Sequence, residues 1–159
     1  MRPLIQGAFY VVLVLTAICF TSCEPTGTTD TFEAAVRSEI GRNCKGNSSC
    51  SIKLDNVTSF KWDVLYVFEY YVSRKRTEYV LEQRLSEYEE FNKRFVFLLN
   101  RRIVHVETTP GNPEHALRGE IVFEDDEHPD YARVMWGQEF VATHRESGGI
   151  KYFVLQPLK

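Results

Sequence analysis

The sequence predicts an α+β fold: a single antiparallel β-sheet packed against about two helices, reached after a signal peptide and a short tether. Three observations carry it. Residues 60–71, Phe60-Lys61-Trp62-Asp63-Val64-Leu65-Tyr66-Val67-Phe68-Glu69-Tyr70-Tyr71, repeat with period two. In an extended strand Phe60, Trp62, Val64, Tyr66, Phe68 and Tyr70 project to one side and Leu65, Val67 and Tyr71 to the other. A strand apolar on both faces belongs in the middle of a sheet, with material packed on each side. Two stretches, beginning near Phe32 and Ser73, show helical spacing instead, and short alternating runs separated by hairpin-type turns fill most of the rest.

The N-terminus lies outside that fold. Arg2 supplies a small positive n-region, and residues 9–20 form an almost unbroken apolar run, too short and too soon interrupted for a permanent membrane span. Residues 1–22 therefore read as a secretory signal. They lead into Phe20-Thr21-Ser22-Cys23, which resembles the bacterial lipobox, with Phe20 standing where leucine is usual. The resemblance implies a lipoprotein whose Cys23 carries palmitate-type acyl chains; the alternative is an ordinary cleaved signal that leaves Cys23 as a thiol or disulfide partner. At about 0.8 kcal/mol per buried methylene, more than one acyl chain makes a stable anchor. Glu24 follows the cysteine, and by resemblance to lipoprotein sorting in Gram-negative cells the lack of Asp there implies the outer membrane. Residues 23–30 form the lipidated cysteine and a flexible polar tether, and residues 31–159 are long enough for a single domain.

Charge and cysteine usage agree with export. The chain has 19 basic and 22 acidic residues, a formal charge of −3, and loss of Arg2 makes it one unit more acidic. Mild acidity with mixed signs argues against nucleic acid and against electrostatic membrane binding, so the membrane partner is reached through lipid. Cys19 leaves with the signal, Cys23 is used for lipid, and Cys44 and Cys50 remain as a disulfide pair. Closing so small a ring contributes about 2 kcal/mol. A metal there would need further soft ligands, which Lys45-Gly46-Asn47-Ser48-Ser49 does not supply.

Thr29, Asp30 or Thr31 can cap the first helix, whose apolar positions are Phe32, Ala35, Val36 and Ile40; Gly41 and Asn43 are expected to end it. Residues 51–58 alternate, with Ile52, Leu54 and Val57 inward. Ser73 caps a second helix expected to reach Tyr88 or Phe91, with Val80, Leu81, Leu85 and Tyr88 on one face. Its Arg74-Lys75-Arg76 triplet reads first as a solvated face and second as an anion or partner site. Residues 94–109 form a hairpin turned at Asn100-Arg101, a loop covers 110–115, a strand covers 118–124 and an acidic loop covers 125–130. Residues 131–136 fit a helical turn and a strand equally well, and a last hairpin spans 139–156, turned at Ser147-Gly148-Gly149.

Motifs for catalysis are sparse. His105, His115, His128 and His144 form no HExxH pattern, and the chain contains no GxSxG, Walker or GxGxxG signature. The run Glu124, Asp125, Asp126, Glu127, His128 and Asp130 offers oxygen ligands for Ca²⁺ or Mg²⁺, but without the EF-hand register it reads first as a solvated turn. Trp62-Asp63 reads as core before it reads as a sugar or peptide subsite. No catalytic residue, metal or cofactor is therefore expected. The binding residues expected are those of the two long loops: Asn112, Glu114 and His115 in one, Asp125, Asp126, Glu127 and His128 in the other.

Phe60-x-Trp62-Asp63-x-x-Tyr66-Val67-Phe68, followed by Tyr70-Tyr71, resembles a motif of small bacterial envelope lipoproteins of uncharacterised function. In those proteins Pro-Tyr-Thr often follows the strand, where this chain has Glu69-Tyr70-Tyr71-Val72. The resemblance implies a small noncatalytic envelope domain. The expected function is thus a lipid-anchored cell-envelope lipoprotein that binds a protein or envelope component, with an immunity or inhibitor protein as a specific form. The alternative is a small metal-dependent envelope enzyme using the acidic and histidine loop.

Overall fold

Thr31 starts the first helix, its Oγ1 accepting the Ala34 N–H at 3.2 Å. The computed structural model describes residues 31–158 except 113 and 126, so the signal, Cys23, the tether and Asp126 lie outside the described residues. Helix α1, Phe32–Cys44, runs through Gly41 and Asn43, which were expected to end it, and stops at Lys45 in the left-handed region. Glu39 offsets the weak helical preference there by accepting the Asn43 Nδ2–H at 2.6 Å from one turn away. Cys44 is bonded to Cys50, as expected, and this ties the helix end to strand β1, Ser49–Lys53.

Next come β2, Val64–Phe68, helix α2, Arg74–Leu81, and the hairpin of β3, Asn92–Leu99, with β4, Arg102–Pro110. Strands β5, Ile121–Phe123, β6, Tyr131–Met135, β7, Glu139–Ser147, and β8, Ile150–Pro157, complete the fold. The α+β class and the helix pair stand; the single sheet does not. The strands form two four-stranded sheets, in the orders β1-β7-β8-β5 and β4-β3-β2-β6. All pairings are antiparallel except β5 with β8.

The second sheet follows from burial. Strands β2 and β3 are apolar on both faces, and α2 covers only the outer one, against Phe68, Val72, Val96 and Leu98. The inner face, Leu65, Val67, Phe95 and Phe97, is covered by α1 and by Ile52, Ile121, Phe140, Ala142 and Leu155 of the other sheet.

The aromatic period also breaks. Phe60 and Trp62 turn into the inter-sheet core beside Leu65 and Val67, while Val64, Tyr66 and Phe68 face α2. The strand begins at Val64, after a bend that Asp63 holds by donating its N–H to Leu98 O at 2.8 Å and accepting the Trp136 N–H at 3.0 Å. Helix α2 starts at Ser73 as expected but ends at Leu81, because Glu82 turns left-handed at φ 54° and donates its N–H to Glu78 O and Tyr79 O. Residues 82–91 then continue as non-helical chain, with Leu85 still buried.

Both hairpins have left-handed central residues, which suit the twist of the flanking strands. Gly148 and Gly149 adopt this region freely, at φ 58° and 80°, whereas Asn100 and Arg101 stand there with side chains, at φ 50° and 63°. Arg101→Gly relieves the strain and loses only an exposed pair with Glu82. It is expected to raise unfolding stability by about 0.5–1 kcal/mol in a denaturant titration.

Candidate functional site

The two loops singled out by composition meet at one end of the β4-β3-β2-β6 sheet, where β2 and β4 finish and β3 and β6 begin. Tyr70 and Tyr71 leave β2 there with their ring centroids 5.2 Å apart. Gly111 lies directly on Tyr70: a Cβ at this position would stand 2.3 Å from Tyr70 Cβ, so only glycine lets the loop pass. Its N–H donates to Phe91 O at 3.3 Å. On the other side the Tyr71 hydroxyl donates to Pro129 O at 2.8 Å. The tyrosine pair thus holds loop 110–117 by one member and loop 125–130 by the other. Tyr71, 57% exposed, and Phe91, 70% exposed, are large exposed aromatics at this end of the sheet, one after β2 and one before β3.

Within the loops, Asn112 Oδ1 accepts the Glu114 N–H at 2.9 Å, and Glu114 and His115 are exposed. Asp125 is committed to backbone: Oδ1 accepts the Glu127 N–H at 2.8 Å and Oδ2 the Arg133 N–H at 3.3 Å, which caps the free edge of β6. His128 packs on Tyr131 at 4.5 Å between centroids, its Nδ1 lying 3.9 Å from Asp125 Oδ1. Arg76 donates from Nε to Asp130 Oδ2 at 2.9 Å, so one member of the basic triplet fastens α2 to the acidic loop; Arg74 is held by Glu78 and Leu85 O. Among the described residues no group of three or more His, Cys, Asp or Glu side chains is arranged to hold a metal ion. Trp62 lies in the core, its Nε1–H donated to Thr58 Oγ1 at 3.0 Å, and Asp63 Oδ2 accepts the Asn100 N–H at 2.8 Å.

Beneath this end lies a charged cluster. The Lys93 side chain is 1% exposed, and its Nζ donates to Ile121 O at 2.6 Å and Glu120 Oε1 at 3.1 Å, with Glu69 Oε1 at 3.8 Å. Glu33 of α1 completes the cluster and accepts the Ile121 N–H at 3.4 Å. Glu120 Oε2 accepts the Leu117 N–H at 2.7 Å, so the cluster grips the far end of loop 110–117, while Glu69 immediately precedes the tyrosine pair. On the opposite face of β3, buried Arg94 lies 3.9 Å from the Tyr88 ring and donates to Val72 O at 3.3 Å.

The sequence points to neither charge as buried when the strand is started at Arg94. Period two extended back to Asn92 supplies the signal, since it places Lys93 in register with Phe95 and Phe97, and Arg94 with Val96 and Leu98. Tyr71 was expected on the second apolar face of the central strand and Phe91 at a possible end of the second helix; because β2 ends at Phe68 and α2 at Leu81, both are exposed instead.

One ammonium cannot satisfy every carboxylate. Burial pushes Glu33 and Glu69 above their ordinary value of 4.5, partly offset by Lys93. With the folded pKa above the unfolded one, the folded state holds these protons longer. The stability they contribute is complete below the unfolded value and is lost as pH rises through the folded one. Glu69→Gln and Glu33→Gln are therefore expected to raise the denaturation midpoint at about pH 7 and leave it almost unchanged at about pH 4, as followed by denaturant titration.

Compared with protein-family models, with curated proteins and with solved structures, the chain finds no match in any of the three.

Proposed function

We propose that the chain is a lipid-anchored cell-envelope lipoprotein whose loop end is a noncatalytic binding module for a protein or another envelope component. The observation that carries the reading is the exposure of two large aromatics, Tyr71 and Phe91, at the sheet end where two polar loops are pinned to a shared tyrosine pair and backed by buried charges. Large aromatic side chains on a held backbone supply contact area with little rotamer entropy to lose, the usual make-up of interface centres. Asn112, Glu114, His115, Glu127 and His128 supply polar groups on the two loops. An immunity or inhibitor protein, poised where a toxin or lytic enzyme arrives, is the specific form favoured. Anchorage rests on the lipobox-like Phe20-Thr21-Ser22-Cys23.

Two arms test the reading. Cys23→Ser is expected to move the protein from the membrane to the soluble fraction; continued membrane retention refutes the lipid anchor. Capture of the tagged, lipidated chain from native envelopes is expected to return one stoichiometric partner that an unrelated lipoprotein does not capture, and Tyr71→Ser with Phe91→Ser is expected to lose it. Capture unaffected by the double substitution refutes the loop end as the binding surface.

A further inference from the structure

Two of the four sheet edges are closed by side chains. On β6 the Arg133 N–H is capped by Asp125 and the Met135 N–H by Gln138 Oε1, at 3.3 and 2.9 Å. On β5 the Ile121 N–H is taken by Glu33 and its carbonyl by Lys93. Strand β1 has five residues and is fastened at Cys50 to α1. Strand β4 has nine; among the described residues its sheet neighbour is β3 alone, and Gln83 Oε1 accepts the Ile103 N–H at 3.3 Å near the start of the strand.

Hydrogen-bonded pairs alternate along an antiparallel ladder. The Gly111 N–H donates to Phe91 O, so stepping by two through the register, Thr109, Glu107 and His105 point their backbone groups at Lys93, Phe95 and Phe97. Val106 and Thr108 point theirs away, and Pro110, which has no N–H, falls at an outward position. Such an edge is a template for another strand.

We infer that β4 pairs antiparallel with β4 of a second copy of this chain, Val106 opposite Val106 about a two-fold axis. The outward positions allow few registers, and charge selects among them. Moving the axis one residue towards the C-terminus sets Glu107 against itself, and one residue towards the N-terminus sets Glu107 against the apolar Ile103. With the axis at Val106, each His105 lies across from the other copy's Glu107, and Val104, 46% exposed, lies across from Thr108. The pairing is self-complementary, as a two-fold interface must be. Glu107 also accepts the first N–H of α1, from Phe32, at 2.8 and 2.9 Å. Residue 31 of both copies therefore starts beside the axis. The inference stands without the loop-end reading, which concerns another surface.

Sedimentation of the full chain in density-matched detergent tests it. The wild-type chain is expected to be a dimer at micromolar concentration. Thr108→Pro removes an outward N–H at an edge position that tolerates proline, and is expected to give a monomer that melts where the wild type does once diluted to monomer. His105→Glu places like charges across the seam and is expected to give a monomer as well, with a lower melting temperature because the His105 ring packs on Phe60 at 4.7 Å between centroids. Val106→Cys is expected to form an interchain disulfide under oxidation, and Thr108→Cys is not. A wild-type chain that stays monomeric at every concentration, a dimer that survives both Thr108→Pro and His105→Glu, or a monomer that takes a foreign extended peptide on β4 overturns the inference.

Discussion

Lys93→Met is expected to lower unfolding stability by about 3–5 kcal/mol at about pH 7, among the largest losses for any single substitution in this chain. The side chain it replaces is 1% exposed and lies among Glu33, Glu69 and Glu120, which reach it from α1, from the end of β2 and from the residue before β5. Methionine fills much of the volume but leaves the carboxylates without their cation and Ile121 O without its donor. The loss should therefore shrink with acid, since a protonated carboxyl needs no ammonium, and the gap between the wild-type and variant denaturation midpoints should narrow as pH falls towards about 4. Adding Glu120→Gln should recover part of the deficit. A loss that is constant with pH would assign Lys93 a packing role only.

Phe97→Ala is expected to cost about 3–5 kcal/mol, measured by the same titration with an unchanged slope. Phe97 is fully buried, and its ring meets those of Phe32, Phe60 and Trp62 edge-on, at centroid distances of 5.2, 5.0 and 5.7 Å. These rings come from α1 and from the bend before β2, so one truncation loosens α1 and the bend together. Phe97→Leu keeps much of the volume and loses the edge-to-face geometry, and should cost well under half as much.

Local chemistry made much of the fold legible. Thr31 and Ser73 cap the helices because a hydroxyl after extended chain can take an orphan N–H, and the Cys44–Cys50 pair was expected as the two cysteines left once Cys19 was assigned to a signal and Cys23 to lipid. Both hairpin turns were visible in residue type and spacing. The second sheet was not, because the choice of β7 and β8 to pair with β1 and β5 rather than beside β3 and β4 depends on which apolar faces remain uncovered once the chain collapses. The end of α2 was hidden for a related reason. Glu82 takes a conformation that glycine usually signals, and Leu85 keeps a helix-like apolar spacing while packing as loop.

At the candidate site, loop composition revealed the two polar segments, and their local Asx bonds at Asn112 and Asp125 are short-range features. What joins them is long-range: Gly111 on Tyr70, and Tyr71 on Pro129 across 58 residues of sequence. Asp125 shows how composition can mislead. A carboxylate in an acidic run suggests a cation, yet here it protects the edge of β6.

The most direct test of the binding surface is photocrosslinking from single positions of the lipidated full chain in native envelopes. A photoreactive side chain at Phe91 is expected to give one discrete adduct with a protein other than this chain, shared with a probe at Tyr71 and absent from a probe at exposed Lys151 on β8. The same adducts from all three positions, or an adduct from Lys151 alone, would contradict the account.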